Sequence, residues 1–310
     1  MKAVKEKKIE QKRIKQKRMR QSGEDAVFDI VVTCFVLLAG ILALYPLWFV
    51  ASASISDPNQ VNAGKVLLLP KGLQFEGYKA VFQNTWILKG YRNSIIYTVV
   101  GTTMNVFSTV TAAYALSRKD LYGRKILNWF IAIPMWFSGG LIPTYLVVNS
   151  LNLVNTPYVL FILGLVSSYN LIICRTYMSS LPYELQEAAK IDGASDFQVL
   201  ARIVLPVSAP IIAVLALYYA VAQWNNYFNA LIYVNNKEWQ TLQVFLREFL
   251  LLNTQIYEDS MDVEEMLRRQ QLAEIMKYSL IVVASVPMLI AYPFVQKFFI
   301  RGVMVGSVKG

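Results

Sequence analysis

Histidine is absent from this chain of 310 residues, cysteine occurs twice and charged residues make up only 16%. Without an imidazole there is no histidine-based catalytic triad and no zinc site of the histidine-rich kind. Cys34 and Cys174 each sit inside a long apolar run, which excludes a disulfide framework in practice. No Gly-x-x-x-x-Gly-Lys-Ser/Thr stretch occurs, so the chain has no P-loop with which to hold a nucleotide. No nucleophile with its base and no set of metal ligands stands out, which argues against an intramembrane enzyme. Catalytic and metal-binding residues are therefore expected to be none.

Apolar residues are plentiful: 55% of the chain is hydrophobic. The few charges are clustered, and they leave long uncharged runs foreign to a soluble domain. A crossing helix needs about 20 mostly apolar residues to traverse roughly 30 Å of hydrocarbon. Six runs meet that length, so an all-α membrane protein of six transmembrane helices is expected. The first is 30–50, followed by 94–116, 126–148 and 154–174, none carrying a charge. The fifth, 207–230, lies within the uncharged stretch 203–236, which is too long for one straight crossing. The sixth lies within 278–296.

Lys and Arg fall unevenly when the loops are assigned alternately to the two sides. One side collects the basic segment before the first run, Ser117 to Lys125, the stretch holding Lys190 and Arg202, and the tail from Lys297. The other side has fewer, and in Asn235 to Lys277 acidic residues outnumber basic ones. The positive-inside rule makes both termini cytoplasmic. The basic segment, 1–29, reads as a topology device in contact with anionic lipid, and no nucleic-acid partner is inferred from it. Ala51-Ser-Ala53 looks like a signal-peptide cleavage site, but the apolar run before it is too long for a usual h-region. An uncleaved anchor is the reading.

Outside the runs, 51–93 carries turn signals at Asp57-Pro58 and Pro70-Lys-Gly72 and aromatics from Phe75 to Trp86, the pattern of an ordered external loop with short helices. In 235–277 the apolar piece Leu242 to Leu252 holds Arg247 and Glu248 in its middle, which suggests an interfacial or lid-like helix. Within the third run, Phe137-Ser-Gly-Gly-Leu-Ile-Pro143 suggests a hinge or a close helix contact.

Between the fourth and fifth runs lies Glu184-Leu-Gln-Glu187-Ala188-Ala189-Lys-Ile-Asp192-Gly193-Ala194, continuing to Leu205-Pro206. Pro182 suits a first-turn position, and Leu181, Leu185 and Ala188 share a face of a helix running to about Asp192. Gly193 ends that helix. Ser195-x-x-Gln198 is a capping-box pattern, so a second helix is expected to start there and run toward Leu205-Pro206. Two helices at a fixed angle transmit rigid-body motion, with small Ala188 and Ala189 for close approach and Glu187 for orientation.

Glu-Ala-Ala, three residues, Gly, nine residues, Ile, one residue, Leu-Pro resembles the signature loop of ATP-binding-cassette importer permeases. From about Ser94 onward the chain is similar to the smaller permease of maltose-type carbohydrate importers, with Gly139-Gly-Leu-Ile-Pro-Thr-Tyr-Leu146 and the tail Ala291 to Gly310 supporting the match. The resemblance implies the type I ABC importer permease fold over 94–300, with a cytoplasmic coupling helix between helices 4 and 5. It implies a bacterial inner-membrane location, a second permease as heterodimer partner, two ATP-binding subunits that hold ATP and Mg, and an extracellular solute-binding protein. ATPase coupling would then fall to Glu184, Glu187, Ala188, Ala189, Asp192, Gly193, Ala194, Leu205 and Pro206. The tail residues Arg301, Gly302, Lys309 and Gly310 would contact the ATPase.

Sugar sites combine aromatic faces with amides and hydroxyls. Gln223, Trp224, Asn225, Asn226 and Asn229 in the fifth run, with Tyr169 and Asn170 in the fourth, are the pathway candidates, since polar groups at membrane depth are costly unless paired or facing a cavity. An interfacial aromatic belt accounts for Trp224 equally well. An ion-coupled transporter of a small polar solute is the alternative function, and it needs ionisable groups that the six cores lack.

Overall fold

Inside a bilayer every backbone N–H and C=O must find a partner within the chain, so uncharged runs of this kind fold as helices. The computed structural model describes residues 23–252, 273–274 and 276–293, and all regular structure among them is helical. Helix α1, Gly23–Ser54, leaves its apolar side chains from Val27 to Trp48 exposed, as a span solvated by lipid does. Short α2 (Pro58–Asn62) and α3 (Glu76–Gln83) follow.

The second span, α4, is Thr85–Ser117. It starts nine residues before Ser94, so the last part of the expected external loop is helical. Asn84 explains the early start, because its side chain accepts from the backbone N–H groups of Trp86 and Ile87 and fixes the helix end there. At about 1.5 Å per residue its 33 residues reach roughly 50 Å, longer than the hydrocarbon is thick.

The third and fourth runs are not single helices. The third divides into α5 (Arg124–Ala132), a 3-10 turn at Ile133–Met135 and α6 (Leu141–Ser150). Gly140 between them has φ 83°, open to glycine and strained for other residues. No heavy atom lies within 4 Å of a Cβ placed there, so the glycine serves backbone conformation and not close helix contact. The fourth divides into α7 (Val159–Ile162) and α8 (Ser168–Ser179), with Gly164 at φ 78° in the gap.

After α8 come α9 (Glu184–Ile191), α10 (Asp196–Val199), a π-helical turn at Leu200–Val204, α11 (Leu205–Val207) and α12 (Ala209–Trp224). The limb Asp196–Val207 meets α12 at 82°. Pro206 and Pro210 flank that break and supply no N–H to continue the ladder. Asn225 stops α12, and α13 (Phe228–Tyr233), α14 (Leu242–Leu252) and α15 (Met276–Pro293) complete the order. Among the described residues, Val27–Ser54, Thr85–Ser117 and Met276–Pro293 are long and apolar enough to cross a membrane, and the bent pair is a fourth if counted as one span.

α4 lies at the centre. Its residues join three buried clusters: Val110, Ala113 and Tyr114 meet Leu171, Met178 and Leu215; Tyr97 meets Val159, Leu160 and Tyr233; Ile87 meets Trp224, Leu242 and Leu280. The expected lid-like helix, α14, belongs to this packing, since Leu242, Val244 and Phe245 are buried. Gly90 on α4 makes room for it, because a Cβ there would lie 2.6 Å from the Phe245 ring.

A polar stripe also runs along α4, with Ser94, Asn105 and Thr109 buried. Asn105 donates to Gly164 O at 2.8 Å, and Thr109 shares a 2.6 Å hydrogen bond with the Tyr219 hydroxyl, which also accepts from Ser167 N–H at 3.1 Å. Tyr219→Phe leaves both groups without that oxygen. A loss of about 1–2 kcal/mol is expected, read as a lower unfolding midpoint in detergent; an unchanged midpoint would show that these bonds contribute nothing net.

Candidate functional site

The corner between α9 and α10 is built from backbone hydrogen bonds. Ala194 N–H donates to Ala189 O at 2.9 Å and Gly193 N–H to Lys190 O at 3.0 Å, the paired bonds of a Schellman motif. Gly193 has φ 81°. Ser195 then opens α10 with both halves of a capping box: Ser195 N–H donates to Gln198 Oε1 at 2.9 Å, and Gln198 N–H to Ser195 Oγ at 3.4 Å. One helix is closed and the next opened within three residues. That geometry leaves little freedom at the turn.

Burial divides the motif into two faces. Gln186, Ala189, Val199, Leu200 and Val204 are buried, the apolar ones against Leu171, Cys174 and Met178. Ala189 is thus part of the chain's own core and unavailable for close approach by another molecule. Pro182 precedes α9 by two residues and lies outside its first turn; Leu181, and not Leu185 or Ala188, packs inward. Glu184, Glu187, Ala188, Asp192, Gly193 and Pro206 are exposed, while Ala194 and Leu205 are half-buried. Ile191 and Phe197 are 86% and 75% exposed. Each stands beside charged residues in the chain, Ile191 between Lys190 and Asp192 and Phe197 after Asp196.

Charge fastens this corner to the loop after α4. Arg118, at the C-cap of α4, forks onto Asp120 through Nε at 2.9 Å and Nη2 at 2.6 Å, and its Nη1 reaches Asp196. Lys190 Nζ lies 3.8 Å from Asp120 and 3.5 Å from Asp196. Lys119 lies over the Tyr183 ring, 5.1 Å from its centroid. Counting charge by loop hides this cluster. The usable signal was the alternation of sign in Arg118-Lys-Asp120 beside that in Lys190-x-Asp192-x-x-x-Asp196, in two loops assigned to one side.

The hydrogen bonds from Arg118 hold Asp120 down to about 2, below the ordinary 3.8, and lower Asp196 by the same cause. A carboxylate depressed on folding stabilises fully above its unfolded pKa and loses that contribution as the pH falls through the folded value. The cluster is therefore expected to persist at pH 5 and to release between about pH 4 and pH 2. Carbon-13 NMR of the Asp120 carboxyl checks this, and a midpoint at 3.8 would mean that Arg118 does not hold it.

The pathway candidates separate. Gln223, 8% exposed, points its Nε2 at Asn105 Oδ1 (3.3 Å) and Leu160 O (3.5 Å), and lies over Gly101, where a Cβ would come within 2.7 Å of that nitrogen. Trp224, 3% exposed, donates to Ala284 O at 3.1 Å and meets Tyr91 edge-on. Asn170 is also buried. These three are taken up by packing. Tyr169 and Asn225 are exposed, and Asn226 and Asn229 half-exposed. Neither reading of Trp224 anticipated its burial. Arg301, Gly302, Lys309 and Gly310 lie outside the described residues.

Helices long and apolar enough to cross a membrane, with others packed around the central α4, are the architecture of an integral membrane protein. The chain belongs to the family of binding-protein-dependent transport system inner membrane components, whose model matches residues 87–305. It is similar to the polygalacturonan/rhamnogalacturonan transport system permease protein YtcP of Bacillus subtilis, at 36% identity over 93% of this chain and 100% of that one. It is 38% identical to protein LplC of the same organism, over 92% of this chain and 95% of LplC. Among solved structures it is similar to a chain of a bacterial ABC transporter involved in the import of the acidic polysaccharide alginate, with TM-score 0.83 and 32% identity over 90% of this chain and 98% of that chain. The fold is that of type I ABC importer permeases.

Proposed function

We propose that this chain is one of two different permeases of an ATP-driven importer that takes up carbohydrate, an oligosaccharide, from an extracellular solute-binding protein. The observation that carries the reading is the corner at Gly193, stiffened by back-to-back caps and presenting bare Ile191 and Phe197. Support for the solute comes from the relatives, whose names refer to polygalacturonan, rhamnogalacturonan and alginate. Two ATP-binding subunits hold ATP and Mg, and their closure displaces the corner through Glu184, Glu187, Ala188, Asp192 and Gly193. The tail from Arg301 to Gly310 adds a second contact.

Six spans, with the broken third and fourth runs each counted as one, would put both termini on one side of the membrane, and the distribution of Lys and Arg makes that side the cytoplasm. Tyr169, Asn225, Asn226 and Asn229 face the solute, and Gln223, Trp224 and Asn170 hold the helices that carry them. The chain makes and breaks no covalent bond. Its work is gating.

Purification from native membranes tests the proposal. An ATP-binding subunit is expected to accompany the chain, and uptake of the oligosaccharide to stop when ATP is depleted with the ion gradient maintained. Uptake that survives ATP depletion, with no ATPase present, would favour an ion-coupled carrier and overturn the reading.

A further inference from the structure

Arg118 stands where two elements meet. It caps the C-terminal end of α4, its side chain is 12% exposed, and it reaches Asp120, Asp196 and the Tyr114 hydroxyl (3.3 Å) together. Tyr114, itself on α4, donates to the backbone oxygen of Asp196 at 3.4 Å and lies beneath the guanidinium, 6.0 Å from ring centroid to Cζ. Lys190 closes the ring of charge from the α9 side. Exposed ion pairs taken singly hold little. Here one planar fork, largely withdrawn from water, binds several oxygens in fixed directions, which a point charge on a flexible stem does not reproduce.

The far end of α4 is fastened as well. Asn93 donates to Glu238 O at 2.8 Å and Gln240 O at 3.1 Å, Tyr97 donates to Trp239 O at 2.9 Å, and Ser94 Oγ accepts from Leu242 N–H at 2.9 Å. Lys89 pairs with Glu238 at 2.7 Å. Between these ends α4 runs unbroken through 33 residues without a proline, whereas the third, fourth and fifth runs are each interrupted.

We propose that Arg118 is a positioning residue that locks the Gly193 corner to the end of α4, so that α4 carries displacement of the corner across the membrane to the 236–242 segment. The transmission rests on the reading of the corner as the site where the ATPase acts. The lock itself does not.

Amide hydrogen exchange on the full chain in lipid nanodiscs tests the lock. Arg118→Gln is expected to speed exchange over 184–199 by about tenfold and to leave 236–242 unchanged, with Arg118→Lys in between. The double variant Asp120→Ala, Asp196→Ala removes the acceptors and gives the same result should Arg118→Gln insert poorly. Exchange equal to that of the unaltered chain in these variants overturns the lock.

In the assembled transporter, Arg118→Gln is expected to lower solute imported per ATP hydrolysed about tenfold. If Gly193→Pro and Glu187→Arg both retain coupled uptake, the reading of the corner fails whatever Arg118 does. If Glu187→Arg uncouples and Arg118→Gln does not, only the transmission through Arg118 fails.

Discussion

Gly193→Pro is expected to lower uptake by roughly 5- to 150-fold, the range of an ordinary coupling free energy, in a chain that still inserts and folds. Proline holds φ near −65°, whereas Gly193 sits at φ 81°, so the corner must re-form at a different angle. The N–H that donates to Lys190 O is lost as well. No atom lies within 4 Å of a Cβ at this position, so the cost is one of backbone direction and not of crowding. Gly193→Ala separates the two, since it costs about 1–2 kcal/mol for the left-handed conformation and keeps the donor. Glu187→Arg, on the exposed face, should uncouple without touching the core. Uptake per ATP in proteoliposomes is the measurement, and normal coupling in both Gly193→Pro and Glu187→Arg would remove the corner from the transmission path.

Trp224→Ala is expected to cost about 3–5 kcal/mol of stability, seen as a lower unfolding midpoint and reduced yield in detergent. The indole is buried among Val81, Ile87, Leu242 and Leu280, with its N–H on Ala284 O. Four helices lose a common contact when it goes. Asn225→Ala, one residue on and exposed, should leave the midpoint unchanged and weaken uptake instead. The reverse pattern, a stable Trp224→Ala chain with impaired uptake, would make the indole a solute contact after all.

Element type was legible wherever local chemistry decides it. Uncharged length implied helices, and the helix from Glu184, the turn at Gly193 and the cap at Ser195 are all written in residues within a few positions of one another. What escaped depends on distant partners. Ala189 and Leu185 look interchangeable along the chain, yet only one meets the Leu171–Met178 surface. Gln223 and Trp224 have the composition of a sugar site, and α4, α14 and α15 supply the partners that bury them. The break at Gly140 lies in the Phe137 to Pro143 stretch that the sequence singled out, whereas the one at Gly164 lay in a run whose apolar content is blind to backbone angle. Arg118 was counted as a topology signal because its partners lie in the sequence both beside it, at Asp120, and far away, at Asp196.

The bend at Ser208 has a mechanical corollary. Two limbs meeting at 82° share almost no common direction, and only about a seventh of a push along Asp196–Val207 projects onto the axis of α12. A thrust on the corner therefore reaches α12 as torque. On the proposed reading of the corner, the helix would swing about its end like the arm of a crank, and the asparagines beyond Trp224, at the tip of that arm, would travel farthest.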